Sequence, residues 1–246
     1  SNEDGFPIRM TNRAVRGLEL LSELDKIDEQ TFSAIKHDKK YSKNSRAYKY
    51  LEKAMLADLG DLNTQKHEIY ANAQTILKKW DLSTDKNNRG AALGTCIIGA
   101  EWLAEQQGEN PPDPSGELKR CTDLLLDKIG RIDPKWGEVN RHIRGEINAA
   151  LGGGPDTLRA IYGLGLEEKG YLTNIAGDGL YYLVSWDKDK KQNVLGIHQF
   201  GSATLDENSP HYADQALDFA NEILHDPLFD ANKRQQKLDR RYRPGQ

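Results

Sequence analysis

The sequence has little of what marks several classes of protein. Only 2 of its 246 residues are cysteine, so neither a disulfide framework nor a thiolate zinc site can be its main support. No apolar run reaches the roughly 18 residues that a membrane-spanning helix needs. The net charge of -4 lacks the basic excess typical of nucleic-acid-binding domains. We therefore expect a globular protein whose partners include neither nucleic acid nor a membrane.

The two cysteines leave the redox state open. Cys96 and Cys121 fall in separate segments that are predicted to be helices. A disulfide requires Cα atoms within about 7 Å, and sequence spacing does not define that distance. We expect two buried thiols on neighbouring helices, with a disulfide as the alternative. No histidine or glutamate pair at helical ligand spacing accompanies either cysteine, so we expect no metal and no cofactor.

The first 130 residues are predicted to be helical. Apolar residues recur with a helical period in the segments 18–24, 69–80 and 118–129. The run AALGTCIIGAEWL, residues 91–103, is apolar on nearly all sides, which is typical of a central helix with several neighbours. The lysine-rich stretch HDKKYSKNSR, residues 37–46, is predicted to be a solvated connection.

After Gly130 glycine becomes frequent and the apolar period falls to two. Strands are predicted over 157–163, 180–186 and 193–200. Gly-Asp-Gly at 177–179 is predicted to be a hairpin turn, and DKDKKQ at 187–192 is predicted to turn the chain between the last two strands. A helix from about 213 to 224 and an irregular tail, 240–246, follow. Because helices precede hairpins and do not alternate with strands, the predicted fold class is α+β, with domains at 1–130 and 131–246.

The glycine-rich segment LGGGPDTLRA, residues 151–160, invites comparison with a phosphate-binding loop. It lacks the Lys-Ser/Thr pair of such a loop, and a strand-like run follows it in place of a helix. We interpret it as a turn that requires positive φ angles.

The segment HQFGSATLDENSPHYADQA, residues 198–216, contains the constituents of a serine hydrolase triad. Ser202 or Ser209 would supply the nucleophile, His211 the base and Asp214 the orienting carboxylate. Ser202 does not lie in the G-x-S-x-G elbow that would expose a nucleophile.

A structural role explains the same segment with fewer assumptions. Ser209 precedes Pro210, a pattern typical of the N-cap and first position of a helix. Asp214 and Gln215 would then fall in the first turn of that helix, where negative charge is favoured. We interpret the segment as a capping corner.

Four segments occur in the order and at about the spacing seen in the carboxyl-terminal part of the penicillin acylase family. They are DPKWGEVNRHIRGEI (133–147), GGGPDTLRAI (152–161), AGDGLYYLVSWDKD (176–189) and the 198–216 segment. The early TNRAVRGLELL and the Trp80-Asp81 pair fit as well, so the resemblance covers nearly the whole chain. It is closest to the branch of acyl-homoserine lactone acylases and aculeacin-type acylases. The resemblance implies an amino-terminal-nucleophile hydrolase with an αββα fold.

The resemblance also implies where the catalytic groups lie. In such enzymes a serine exposed by precursor cleavage uses its own α-amine as the base, and an asparagine helps to stabilise the oxyanion. Both precede the segments found here, so no catalytic residue is expected in this chain, and Ser1 is not assigned that role. The resemblance assigns structural roles to the signature residues Gly201, Ser202, Ser209, Pro210, His211, Tyr212, Asp214 and Gln215.

Two arginines in the first predicted helix match family arginines that lie just after the oxyanion asparagine. The resemblance places Arg13 and Arg16 near the edge of the substrate cleft. The alternative is that both are surface arginines on an amphipathic helix.

The expected function is that of a carboxyl-terminal segment of an acylase large subunit, inactive alone. Its partners would be the small subunit, the amino-terminal part of the large subunit, and an N-acyl substrate such as an acyl-homoserine lactone or a penicillin. The family alone implies a periplasmic or secreted location. A freestanding, non-catalytic binding module on the same scaffold is the alternative. A segment of a larger sandwich would also expose an apolar face on the hairpin over 180–200.

Overall fold

A computed structural model describes residues 10–60 and 63–237 of the protein. The chain divides into two compact units, which we name unit 1, residues 1–178, and unit 2, residues 179–246. Ser1 and the tail predicted over 240–246 lie outside the described residues. Helices and small sheets coexist, so the fold class is α+β, as predicted.

Unit 1 begins with helices whose first turns are capped by side chains. Its eight described helices are α1 (Asn12–Ser22), α2 (Glu29–Lys36), α3 (Arg46–Leu56), α4 (Thr64–Lys79), α5 (Ala91–Gln107), α6 (Pro114–Ile129), α7 (Trp136–Val139) and α8 (Leu166–Lys169). The Asn63 side chain accepts a hydrogen bond from the Lys66 N–H at α4, and Asp113 does the same for Gly116 at α6. Gly130, with φ of 79°, ends α6. The helices predicted from apolar periodicity at α4 and α6, and from the nearly all-round apolar run at α5, are confirmed.

The core of unit 1 surrounds α5. Leu93, Ile97 and Ile98 are fully buried, which confirms that this helix is packed on several sides. Gly94 admits the ring of Trp80, which occupies the space that a Cβ atom would need. α5 therefore depends on a small residue at this position to pack closely.

A disulfide joins α5 to α6. Cys96 and Cys121 are bonded, with their Cα atoms 5.9 Å apart. The expectation of two buried thiols is therefore wrong, although their placement on neighbouring helices is confirmed. The sequence carries no signal for the distance between the two helices, which tertiary packing sets.

A four-stranded sheet completes unit 1. Its strands are β1 (Asn140–Arg144), β2 (Ile147–Ala150), β3 (Ile161–Leu164) and β4 (Leu172–Gly177), in the order β2-β1-β4-β3. β1 and β4 pair in parallel, and the other two pairs are antiparallel. The strand predicted over 157–163 is shorter than expected, because residues 157–160 belong to a turn.

Unit 2 contains a hairpin of β5 (Tyr181–Trp186) and β6 (Gln192–Ile197), then α9 (Ala216–Ala220) and α10 (Ala231–Gln236). The hairpin is confirmed together with its predicted turn after Trp186, because β5 pairs with β6. Gly-Asp-Gly at 177–179 does not form a hairpin turn, since β4 pairs with β1 and β3 and not with β5. The helix predicted over 213–224 is too long at both ends, because α9 spans Ala216–Ala220.

The hairpin has one buried and one exposed apolar face. Leu183 and Ile197 are buried, whereas Tyr182, Val184 and Trp186 are exposed on the opposite face of β5. The exposed apolar face predicted for this hairpin is therefore present.

The lysine-rich connection is not fully solvated. Tyr41, Ser42 and Ser45 within it are buried. The Tyr41 N–H donates to the Leu82 carbonyl, and the Thr84 N–H donates to the Lys39 carbonyl. The prediction was wrong here because this short, non-local pairing buries backbone that local composition marks as exposed.

Within the described residues, none of the helices combines the length and apolar character needed to cross a bilayer.

Candidate functional site

Arg13 lies on the exposed side of α1, close to its capped start. The Thr11 hydroxyl accepts a hydrogen bond from the Ala14 N–H, which fixes the first turn. The Arg13 guanidinium donates through Nη2 to the Tyr162 hydroxyl at 2.9 Å. The Tyr162 ring packs against Trp102, with 4.8 Å between ring centroids. Arg13 is thus held by a neutral phenol and keeps its charge at the surface.

Arg16 has a different environment. Its Nε and Nη2 donate to the two carboxylate oxygens of Asp38 at 3.1 and 3.0 Å, and Nη1 lies 3.7 Å from Glu19. The hydrogen bond to Asp38 raises the pKa of Arg16 above its ordinary value. Arg16 therefore links α1 to the chain that follows α2, and the nitrogens of its guanidinium group face the carboxylates of Asp38 and Glu19.

A buried polar contact fixes the start of α1 beneath Arg13. The Asn12 N–H donates to Asp156 Oδ2 at 2.7 Å, and Asn12 Nδ2 donates to the Asp156 carbonyl at 2.8 Å. Asn12 Oδ1 accepts from the Ser42 N–H at 2.8 Å. Asn12 is 1% exposed and Asp156 is 4% exposed. Burial raises the pKa of Asp156, while the nearby Arg13 and Arg46 oppose the rise.

The loop 151–160 presents Asp156 to α1. Asp156 adopts φ of 57° and Gly153 φ of 95°, so the prediction of a positive-φ turn is confirmed. A Cβ atom at Gly153 would collide with the Arg159 carbonyl. The Tyr41 hydroxyl donates to the Pro155 carbonyl at 2.6 Å and holds the loop from the other side.

A second ionic group lies beside Asp156. Arg46 pairs with Glu105 at 2.7 Å and also with the buried Glu101. Burial raises the pKa of Glu101, and Arg46 opposes this shift. We name the surface formed by the exposed Arg13 and the half-buried Arg46, Trp102 and Tyr162 the arginine face. It combines two cations, a phenol and an indole above a buried carboxylate.

Sequence reasoning found Arg13 but missed the residues that position it. The positive-φ turn signal at 151–160 pointed to the loop that carries Asp156, but no local pattern marks Asn12. Lys36 and Arg159 were missed as well: both donate to Asp178 Oδ2, at 2.6 and 3.0 Å. These contacts join residues more than a dozen positions apart, so they depend on the folded topology.

The signature segment forms a corner in unit 2. The His198 ring accepts the N–H groups of Phe200 and Gly201 through Nδ1. The Gln215 side chain accepts the His198 N–H at 2.9 Å, and the Gln215 N–H donates to the Phe200 carbonyl at 2.9 Å. Gly201 allows this close approach, because a Cβ there would collide with the His211 carbonyl. The corner is a network of mainly backbone hydrogen bonds.

The structure brings together only two of the three triad groups. His211 Nδ1 lies 2.8 Å from Asp214 Oδ2. Ser209 Oγ accepts the backbone N–H of His211 at 3.1 Å and does not contact the imidazole ring. Ser202 is exposed, and among the described residues no hydrogen bond joins it to His211 or Asp214. No nucleophile is positioned on this histidine within the described chain.

The Ser209-Pro210 pair is also placed differently from the sequence prediction. Pro210 is exposed within a turn and does not start a helix. The Ser209 hydroxyl consequently caps that turn and not α9, whose first turn has no side-chain cap. The Tyr212 hydroxyl donates to Glu207 at 3.4 Å. The helix-cap prediction was wrong because local turn hydrogen bonds of Ser and Asp compete with helix formation.

Across residues 10–60 and 63–237, no group of three or more His, Cys, Asp or Glu side chains could hold a metal ion.

Comparison with known proteins gives one clear result. None of the curated proteins searched matches the chain. The penicillin amidase family matches it over residues 4–236, which is nearly its whole length. The chain therefore belongs to the penicillin amidase family, a family of amide-hydrolysing acylases.

Proposed function

We propose that the chain is the carboxyl-terminal part of the large subunit of an amino-terminal-nucleophile acylase with an αββα fold. The assembled enzyme hydrolyses the amide bond of an N-acyl substrate, either an acyl-homoserine lactone or a penicillin-like compound. The family match over residues 4–236 is the observation that carries this proposal.

The proposed mechanism takes its nucleophile from outside the described residues. A serine at the start of the large subunit attacks the amide carbon, and its own α-amine accepts the hydroxyl proton. An asparagine and backbone N–H groups stabilise the oxyanion, and the amine leaves as it receives the proton, so that the acyl group remains as an ester of the serine. Water then hydrolyses this ester, which releases the carboxylic acid and restores the serine. The absence of a serine positioned on His211 in the described chain supports this assignment.

Arg13 is the residue of this chain that we place at the cleft edge. Its exposed guanidinium is oriented by Tyr162 and can donate to a substrate carbonyl or to the backbone near the oxyanion site. Arg16 is already engaged by Asp38, so we assign it a structural role. This distinction separates two arginines that the sequence treated alike.

The exposed apolar face of the hairpin supports the proposed partner, the remainder of the acylase. Tyr182, Val184 and Trp186 form a face that a further sheet of the sandwich would cover. The disulfide supports a periplasmic or secreted location, because disulfides persist in oxidising compartments.

The test compares the purified 246-residue chain with the enzyme expressed from its full reading frame. Octanoyl-homoserine lactone and penicillin G are the probe substrates, and released amine is measured. We expect turnover only by the full enzyme. If the purified chain turned over either substrate, and Ser202→Ala or Ser209→Ala abolished that turnover, the proposal would be contradicted. The serine hydrolase triad would then be the better interpretation of the 198–216 segment.

Arg13→Ala and Arg16→Ala form a matched pair in the full enzyme. We expect Arg13→Ala to lower kcat/KM at least about tenfold at an unchanged Tm, the effect of losing one charge-assisted hydrogen bond. Arg16→Ala should instead lower Tm and leave kcat/KM nearly unchanged. Equal effects of the two changes on kcat/KM would remove the distinction. A full reading frame that begins at this chain, with a monodisperse monomer as its product, would favour the freestanding module.

A further inference from the structure

Unit 1 contains a cavity of about 450 Å³ whose lining does not include Arg13. It is bounded by α5, α6, β3 and α8, and its walls are mainly apolar. Trp136 and Ile161 form its buried floor, and Leu124, Leu166 and Leu172 form its sides. Its volume and apolar lining are typical of small-molecule sites.

Gly99 keeps one wall of the cavity open. It lies within α5, where glycine costs about 1 kcal/mol relative to alanine. Gly94 on the same helix is explained by the Trp80 ring packed against it. A Cβ atom at Gly99, in contrast, would meet nothing within 4 Å. Packing within the described chain therefore does not require a glycine here, and a larger side chain would enter the cavity.

The helix α8 covers part of the cavity and lies between two glycines. Gly165 has φ of 108° and Gly170 φ of 76°, angles that favour glycine at both ends of the four-residue helix. Leu166 of α8 lines the cavity, and Glu167 reaches toward Arg120 at the mouth. The opposite wall is fixed, because the disulfide of Cys96 holds α5 against α6.

Arg120 supplies a directed positive charge at the mouth. Its Nε and Nη2 donate to Glu117 at 2.8 to 3.1 Å. Its Nη1 lies 3.6 Å from Glu167, which is too long for a hydrogen bond. Glu167 is mostly exposed and belongs to α8, so it can move away with that helix. The Nη1 group thus lies near an acidic side chain without a hydrogen bond to it, and another carboxylate can take that place.

We propose that this cavity binds a small apolar carboxylic acid, whose hydrocarbon part fills the cavity and whose carboxylate replaces Glu167 at Arg120 Nη1. The α8 helix acts as the lid of the site. The site does not involve Arg13 and does not rest on the acylase assignment.

Calorimetric titration of the full 246-residue chain with octanoate, octanol and octylamine tests the site. We expect saturable one-site binding of octanoate, weaker binding of octanol and the weakest binding of octylamine, which Arg120 repels. The Trp136 indole N–H resonance should shift with octanoate, because this ring forms the cavity floor. No binding of octanoate, or octylamine binding as tightly, would overturn the proposal.

Gly99→Phe and Gly99→Ala are a matched pair that does not change any charge. Gly99→Phe fills the cavity and should weaken octanoate binding at least about tenfold, whereas Gly99→Ala should leave it unchanged.

Glu167→Gln should strengthen octanoate binding several-fold, because it removes a competing charge from Arg120. Arg120→Gln should weaken octanoate about tenfold and spare octanol. If Gly99→Phe left the affinity for octanoate unchanged, the ligand would bind outside this cavity and the proposal would be contradicted.

Discussion

Unit 1 and unit 2 each contain a tryptophan beside a sheet or hairpin, and the two indoles have opposite surroundings. Trp136 in unit 1 is 2% exposed, and its Nε1–H donates to the Gly153 carbonyl at 2.8 Å. Trp186 in unit 2 is 64% exposed at the end of β5. Unit 1 buries Trp136 in its core, whereas the hairpin of unit 2 leaves Trp186 and its neighbours Tyr182 and Val184 exposed. The difference indicates that the hairpin face is available to a partner.

The largest expected effect separates these two tryptophans. Trp136→Ala removes a buried ring and its hydrogen bond, so we expect the free energy of unfolding to fall by about 4 kcal/mol. Trp186→Ala removes an exposed ring and should change it by no more than about 0.5 kcal/mol. Urea unfolding followed by circular dichroism measures both. Similar losses would mean that the hairpin face is packed in solution.

The next effect concerns the bond that joins α5 and α6 in unit 1. Replacing both Cys96 and Cys121 with serine should lower the free energy of unfolding by about 3 kcal/mol, because the bond closes a loop of 25 residues. Thermal unfolding of this variant beside the unreduced chain gives the measurement. A loss of unfolding free energy below about 1 kcal/mol would show that packing alone holds α5 against α6.

A pH-dependent effect is expected at Asp156. Burial raises its pKa above the ordinary value of 3.8, so the folded chain binds this proton more tightly than the unfolded chain. Stability from this group is therefore present at low pH and is lost as the pH rises from 3.8 through the raised value. Asp156→Asn keeps a residue that tolerates positive φ and should flatten this part of the pH profile.

Urea unfolding across about pH 3.5 to 7 measures that slope in the parent and the variant. The buried Glu101, whose pKa is also raised by burial, contributes in the same direction and should remain in both. An unchanged slope in Asp156→Asn would show that Arg13 and Arg46 fully balance the buried carboxylate.

A smaller effect is expected in the signature corner. The Ser209 hydroxyl accepts one hydrogen bond from the His211 N–H in an exposed turn, so Ser209→Ala should cost about 0.5 kcal/mol. Catalysis by the full enzyme should stay the same. A hundredfold fall in turnover at an unchanged Tm would instead assign chemistry to this corner.

The smallest change in stability is expected on the exposed hairpin face, where association should change instead. Replacing Val184 and Trp186 together with threonine should leave the free energy of unfolding within about 0.5 kcal/mol of the parent. We expect the parent chain to self-associate and the variant to do so less, as measured by sedimentation velocity. A parent chain that stays monomeric at high concentration would contradict this use of the face.

The predictability of the fold follows the range of the interactions. The helices α4 and α6 were predictable because their apolar periodicity is local, and α5 because its apolar run is continuous. The β5–β6 hairpin was predictable because its alternation of side chains is local. The start of α9 was not, since Ser209 and Asp214 make turn hydrogen bonds that compete with a helix. The burial of Tyr41 depends on pairing with residues beyond α4, which composition does not encode.

The candidate site shows the same limit. The sequence identified Arg13 and Arg16 through a family resemblance but could not distinguish them. Their difference lies in partners remote in sequence, Tyr162 for Arg13 and Asp38 for Arg16. The cysteine pairing was left open for the same physical reason, because the distance between two helices is a property of their packing.

The contact between Asn12 and Asp156 has a consequence for the order of folding. The two residues are 144 positions apart, so this contact can form only after the loop 151–160 has folded. Contacts of such sequence separation carry a large loop-closure cost and slow the reaction that forms them. We therefore expect this contact to form late, after the nearer contacts of α1 with Asp38 and Ser42. Asn12→Ala should accordingly speed unfolding far more than it slows folding.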